Sequence, residues 1–188
     1  MNPAKGRVAH WLVKTEPDVY SIDDLARDRR TWWEGVRNYQ ARNLMRDSMQ
    51  VGDEVIVYHS NADPPAAAGI ARVSRPARGD ATALDPASED FEPRATPADP
   101  VWLCVELEFL ERFAEPVPLA EIRATRGLEG LPLLQKGQRL SVQPVGDREF
   151  AILVSLGRKG GNTARTARKP ARRRADDRRP GRLRSAVG

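Results

Sequence analysis

The strongest constraint on this chain is a thirteen-residue run, Thr31-Trp-Trp-Glu-Gly-Val-Arg-Asn-Tyr-Gln-Ala-Arg-Asn43. It gathers two indoles, a phenol, two arginines and three side-chain amides, then leads straight into an apolar stripe that ends at Met49. Trp32 and Trp33 are adjacent, in a loop bounded by Thr31 and Gly35, so both cannot readily face one core. At least one is expected to be exposed or to line a cavity. Aromatic faces that stack, amides that read polar edges and arginines that meet phosphates are what a nucleobase pocket requires. The run therefore predicts a small base-recognition module.

The flanking sequence predicts short strands with small helices between them. Val8–Lys14 reads as a first strand, stopped by Pro17, which has no N–H to give a ladder. Ser21 caps a short helix carrying Ile22, Leu25 and Ala26. Asn38 caps a second, in which Ala41, Leu44, Met45, Ser48 and Met49 share one stripe; Arg42 and Arg46 lie off it, one turn apart. Glu54–His59 and Ala68–Val73 are strands, with Gly69 marking a bulge or a close backbone approach. Residues 75–100 hold five prolines, many acidic residues and no periodicity, and read as a long solvated connection. Val101–Phe109 alternates as a strand should. A helix opens at Pro118, Leu140–Pro144 is a short strand, and Asp147 caps a last helix ending at Gly157. This pattern, without regular strand–helix alternation, points to an α+β but mainly β fold, a partly closed β-barrel decorated with short helices.

Charge divides the chain. Residues 158–188 carry twelve Lys and Arg against two Asp, leaving nineteen basic against twenty-four acidic residues in 1–157. The body (residues 8–157) is thus mildly acidic, and its grip on any polyanion must be local. The Arg-rich tail at 158–188 has hardly an apolar anchor and is expected to be disordered. No run of eighteen apolar residues exists, so no membrane partner is expected. Cys104 is the sole cysteine and the N-terminus lacks a signal-type apolar segment, which fits a cytoplasmic protein. Two histidines, His10 and His59, and one cysteine give no metal-ligand spacing; phosphate-binding glycine loops and a nucleophile elbow are absent. No metal, cofactor or catalytic residue is therefore assigned.

Several motifs carry a family resemblance: Trp11-Leu-Val-Lys-Thr-Glu-Pro17, Trp33-Glu-Gly-Val-Arg-Asn-Tyr-Gln-Ala-Arg-Asn43, Val51-Gly-Asp53, Tyr58-His-Ser-Asn61, Gly69-Ile-Ala-Arg-Val73 and Leu140-Ser-Val-Gln-Pro144. In order and over residues 9–157 the chain resembles the EVE domain, a PUA-like family related to the YTH and ASCH modules. The resemblance implies a PUA-like barrel that binds DNA or RNA and recognises a modified base, notably methylated or hydroxymethylated cytosine. Carried over by position, it implies a pocket built on Trp11, Lys14, Thr15 and Glu16. Trp33, Val36, Arg37, Asn38, Tyr39 and Gln40 form its second wall. Tyr58, His59 and Ser60, with Gln143 and Pro144, close it. Phe91-Glu92 in the long connection and Val101 depart from the family pattern, which touches loop contacts more than the pocket.

These expectations combine as a non-catalytic reader, probing a flipped base in an aromatic pocket and acting as a monomer. Arg37 and Arg42 would hold flanking phosphates, and tail residues such as Arg172, Arg173 and Arg174 would add non-specific affinity. Two alternatives stand beside it. One is an enzyme or accessory factor acting on modified RNA or nucleotides, with Lys14, Glu16 and His59 as acid/base groups. The other is an adaptor that binds nucleic acid through its tail alone.

Overall fold

Strand β1 spans His10–Thr15 and stops just short of Pro17. Helix α1, Ile22–Asp28, begins with a reciprocal cap: the Ser21 hydroxyl accepts the Asp24 N–H while the Asp24 carboxylate accepts the Ser21 N–H. A three-residue strand β2, Arg30–Trp32, follows. Helix α2, Tyr39–Asp47, starts where Asn38 Oδ1 accepts the Ala41 N–H at 3.0 Å, and it buries Ala41 and Met45 one turn apart. Then come β3 (Glu54–His59), β4 (Ala66–Gly79), β5 (Leu103–Pro118), α3 (Leu119–Ala124), β6 (Val142–Val145) and α4 (Asp147–Thr163). This computed structural model describes residues 8–163. The expected tail cations Arg172, Arg173 and Arg174 lie outside the described residues.

The six strands form one mixed sheet in the order β2-β5-β4-β3-β1-β6. β1 and β3 pair in parallel, Leu12 opposite Ile56 and Val13 opposite Val57; every other neighbouring pair is antiparallel. Alternation then sorts apolar side chains to two faces. Trp11, Val13, Val55, Val57, Val105, Leu107 and Val142 face one way, against Leu25 of α1 and Met45 of α2. Leu12, Ile56, Ile70, Phe113 and Val145 face the other, against Ile122 of α3 and Leu153 of α4. Both faces are covered where the helices pack, so the middle residues of β1 and β3 and the first half of β4 are buried, and the fold is the helix-decorated, incompletely closed barrel of the PUA-like class.

Asp53 ties the turn before β3 to β1. It is nearly fully buried, and its two oxygens accept the Ala9 N–H, the Trp11 indole N–H and the Gln50 N–H at 2.9–3.0 Å. Gly52, at φ +101°, makes the reversal that delivers it.

Four elements differ from the sequence reading. β2 was not expected; three residues are too few for a periodic signal, and it exists because Thr31 pairs with Leu107 of β5. β4 runs to Gly79, not Val73, because β5 accompanies it that far. The Val101–Phe109 strand starts instead at Leu103, after Val101 turns at φ +54°, and continues to Pro118. The last helix passes Gly157 to Thr163; Arg158, expected to open the tail, pairs there with Glu111 at 2.6 Å.

Gly69 answers both readings of its role. Ala68 is skipped in the registers with β3 and β5, so a bulge lies beside it. A Cβ at Gly69 would also run into the Glu111 carbonyl oxygen and come within 2.8 Å of the Ile22 side chain. Gly69→Ala is expected to destabilise the fold by about 1–3 kcal/mol through overpacking, read as a lower urea midpoint with an unchanged slope.

Candidate functional site

β2 and β6 are opposite ends of the sheet, yet the chain beside them lines one cavity. Trp32 to Arg37, leaving β2, face Ser141, just before β6, with Lys14 and Thr15 of β1 between. The sheet thus curls until its edges approach without pairing, and the cavity, about 380 Å³, fills the seam. That size falls at the small end of ligand sites.

The walls follow from local structure. β1 ends at Thr15, whose hydroxyl donates to the Tyr20 carbonyl at 2.8 Å and folds the Pro17 turn back, so that Val19 and Tyr20 join the cavity wall. The Tyr20 ring meets Trp33 edge-on, centroids 6.3 Å apart. The Trp33 N–H donates to the Val105 carbonyl at 2.8 Å, which holds its backbone against β5 and its ring in the buried core. Trp32, one residue earlier, is half-buried and carries the Arg78 guanidinium 3.6 Å above its ring. Indole N–H groups separate the four tryptophans. Trp11 donates to Asp53 and Trp102 to Glu92, whereas Trp32 and Trp33 donate to no acceptor among the described residues. Buried indoles ordinarily find a partner. These two line a cavity in which a ligand acceptor can supply one.

Ionisable groups complete the lining. Burial lowers the Lys14 ammonium below its ordinary value, and its Nζ donates to the Gln138 carbonyl at 3.3 Å. Glu34 is raised, first by burial and then by the nearby Asp80 charge, with Arg78 pulling the other way at 3.9 Å.

One buried carboxylate fixes the wall that follows Trp33. Asp80 has no solvent exposure; it accepts the Gly35 N–H at 3.0 Å, Arg37 Nη1 at 2.7 Å, and both the Thr82 N–H and hydroxyl. Gly35 turns at φ +78°, where an L side chain is strained. Burial alone would raise the Asp80 carboxyl, but the Thr82 hydroxyl, Arg37 and the Gly35 N–H together hold it below its usual range.

Of the residues expected at the pocket, Lys14, Thr15, Trp33, Val36 and Arg37 line the cavity. Arg37, expected on a phosphate, instead ties Asp80, Thr82 and the Asp90 carbonyl to the wall. Arg42 binds the Val101 carbonyl and Asn43 and covers the Tyr39 ring. Trp11 is core, anchored on Asp53. Glu16 accepts Asn61 Nδ2 at 2.6 Å. Asn38 serves as a cap, Gln40 is exposed, and Tyr39 stacks on Trp102 at 4.6 Å. Tyr58 and Gln143 belong to the opposite face of the sheet, Gln143 standing across from Leu12. His59 Nε2 accepts the Ile22 N–H at 3.0 Å, which makes it a neutral acceptor capping α1; burial lowers its pKa, against the opposing pull of Asp23. Ser60 is bonded to the Thr15 carbonyl, and Pro144 is exposed on β6.

Sequence reasoning missed Val19, Tyr20, Thr31, Trp32, Glu34, Gly35 and Ser141 as lining residues. Four of them lie inside the aromatic run at 31–43; neighbours on both sides of an edge strand can share a seam, which a one-face rule does not anticipate. The connection expected to be solvated over residues 75–100 is strand as far as Gly79, and beyond it is pinned by Asp80, by Trp102 packed on Tyr39, and by the Trp102 indole on Glu92.

Known proteins place the chain. The EVE domain family matches residues 9–156. Thymocyte nuclear protein 1 of Homo sapiens is 35% identical over 174 residues, spanning 82% of this chain and 76% of that protein. A crystal structure from Pseudomonas putida is 46% identical, with a TM-score of 0.76 over 79% of this chain and 99% of that one. Human THYN1 protein in complex with 5-methylcytosine-containing DNA is 36% identical, with a TM-score of 0.72 over 79% of this chain and 97% of that one.

Asp80→Ala would strand the Arg37 guanidinium and free the Gly35 turn, so a loss of about 3–5 kcal/mol is expected in denaturant unfolding. Because the folded Asp80 pKa is depressed, its contribution is present above the ordinary value of 3.8 and lost as pH falls below it. The acid limb of a stability–pH curve should therefore flatten in Asp80→Asn.

Proposed function

This chain belongs to the EVE domain family, and from that premise we propose that it is a non-catalytic nucleic-acid-binding module whose seam cavity takes one modified nucleobase. The observation that carries the reading is the pair of indoles, Trp32 and Trp33, lining a cavity with no acceptor for either N–H among the described residues. A flipped base would lie against the Trp33–Tyr20 wall. Thr15, Ser141 and the unpaired indole N–H groups would meet its polar edge, and the Lys14 charge would stand beside them. Val19 and Val36 offer apolar surface to an added methyl. The complex of human THYN1 with 5-methylcytosine-containing DNA supports a methylated cytosine as the ligand.

Magnitudes show why a modification can decide occupancy. Stacking contributes about 1–3 kcal/mol per base, while extrusion from a duplex costs a few kcal/mol. With those terms nearly cancelling, the roughly 0.8 kcal/mol of one buried methyl tips the balance. Strict selection then also needs the unmodified base to leave a void.

A role without catalysis is supported by what the candidate acid/base groups do instead. Glu16 is engaged by Asn61, His59 by the α1 backbone and Lys14 Nζ by the Gln138 carbonyl. Burial, assisted by Asp80, pushes the Cys104 thiol up to about 12, far from a reactive thiolate. The Arg-rich segment containing Arg172, Arg173 and Arg174 would add affinity without selectivity.

The test is fluorescence anisotropy with oligonucleotides carrying cytosine, methylcytosine, hydroxymethylcytosine or methyladenine at one position, as DNA and as RNA. The wild type should prefer one modified base. Trp32→Ala, which spares the buried core, should lose roughly ten- to a hundred-fold in affinity for it. Equal binding to every oligonucleotide, unchanged in the variant, overturns the reading. Removal of residues 164–188 should weaken binding to all of them alike and leave the preference intact.

A further inference from the structure

If a base enters the seam, its two flanking phosphates must rest on the two lips, and the arginines first suspected are already in use. Arg37 donates to Asp80, Thr82 and the Val36 and Asp90 carbonyls. Arg42 holds the Val101 carbonyl and Asn43. Recruiting either for a phosphate would break contacts that shape the wall or pin the long connection. The acidic body offers no general positive field in their place.

Each lip does carry one exposed arginine with weaker engagements, Arg78 beside the Cys104 thiol and the Glu34 carboxylate, and Arg139. On the β2 side, Arg78 has about half of its side chain exposed and lies 3.6 Å over Trp32, itself a lining residue. Its one carboxylate neighbour among the described residues is Glu34, at 3.9 Å, the outer limit of an ion pair and a weak competitor. On the β6 side, Arg139 is exposed and has no polar partner among the described residues. Its chain neighbours form that lip: the Gln138 carbonyl accepts Lys14 Nζ, and Ser141 lines the cavity while its carbonyl accepts the Lys14 N–H.

We propose that Arg78 and Arg139 form a two-sided phosphate clamp, one arginine on each lip of the seam, holding the phosphodiesters that flank the base in the cavity. The proposal rests on the base-reading assignment above and supplies its backbone contacts. A guanidinium suits the task because its planar fork can grip two phosphate oxygens at once. Arg78 also gains from its seat, since the Trp32 face that carries it keeps the guanidinium directly beside the cavity.

The clamp predicts a salt signature separable from base selectivity. Full-length protein would be titrated, over a series of salt concentrations, with a single-stranded DNA carrying one 5-methylcytosine and with its unmethylated counterpart. Arg78→Gln and Arg139→Gln should each reduce the slope of log K against log salt by about 0.7, and the double variant by about twice that. The ratio of affinities for the two DNAs should stay at its wild-type value, and Arg78→Lys, which keeps the charge, should retain most of the slope. A double variant with the wild-type slope overturns the clamp. So does a collapse of the methylation ratio at unchanged slope, which would place these arginines on the base. A wild type without methyl preference on this pair would count against methylcytosine as the base, and the slope change would still report whether the two arginines hold phosphate.

Discussion

Asp80 lies inside the protein with both oxygens occupied, and a buried carboxylate is tolerated only when it is satisfied in that way. What satisfies it is the site itself. Gly35 gives a backbone N–H, Arg37 a guanidinium, and Thr82 a hydroxyl and a second N–H. The loop from Trp33 to Arg37 and the turn at 80–82 are therefore each the other's support. Trp33 and Val36 of that loop also pack into the core, and the polar cluster fixes the Gly35–Arg37 end of the wall that the core contacts leave free.

The cavity owes its existence to a sheet that stops short of closure. Unpaired strand edges are ordinarily a hazard, because they invite another strand. Here β2 is only three residues long, and β6 carries Pro144. Both features discourage strand addition. Curling the edges towards each other hides them further and leaves a space lined by their flanking residues. Residual hydrogen-bonding capacity collects there: the two indole N–H groups without an acceptor among the described residues belong to that same seam.

The described polar side chains divide between holding the wall and facing the space it encloses. Arg37, Asn38 and His59 look functional in the sequence because they are polar and sit beside aromatics, and Asp53 reads only as part of a turn. In the fold each satisfies a backbone group or a buried charge. Glu34, Tyr20 and Ser141, less conspicuous in the sequence, line the space together with Trp32.

The sequence by itself determined the local structure: the caps at Ser21 and Asn38, the end of β1 before Pro17, the alternation that gives β3 and β5 two faces, the tight place at Gly69, and the aromatic run at 31–43. Each depends on neighbours within a few residues, where dihedral preference and periodicity act. It also carried the family resemblance and the broad outline of a partly closed barrel. Only the tertiary structure decided which residues share the cavity. Period-two alternation sets Tyr58 and Gln143 on the face away from Trp33, but which face encloses the site depends on how far the sheet curls. Asp80 reads as one more acid in a proline-rich connection until Arg37, forty-three positions away, meets it. Such long-range pairs leave no local signature, because the energy that selects them, burial of a fully satisfied charge, appears only once the chain has folded.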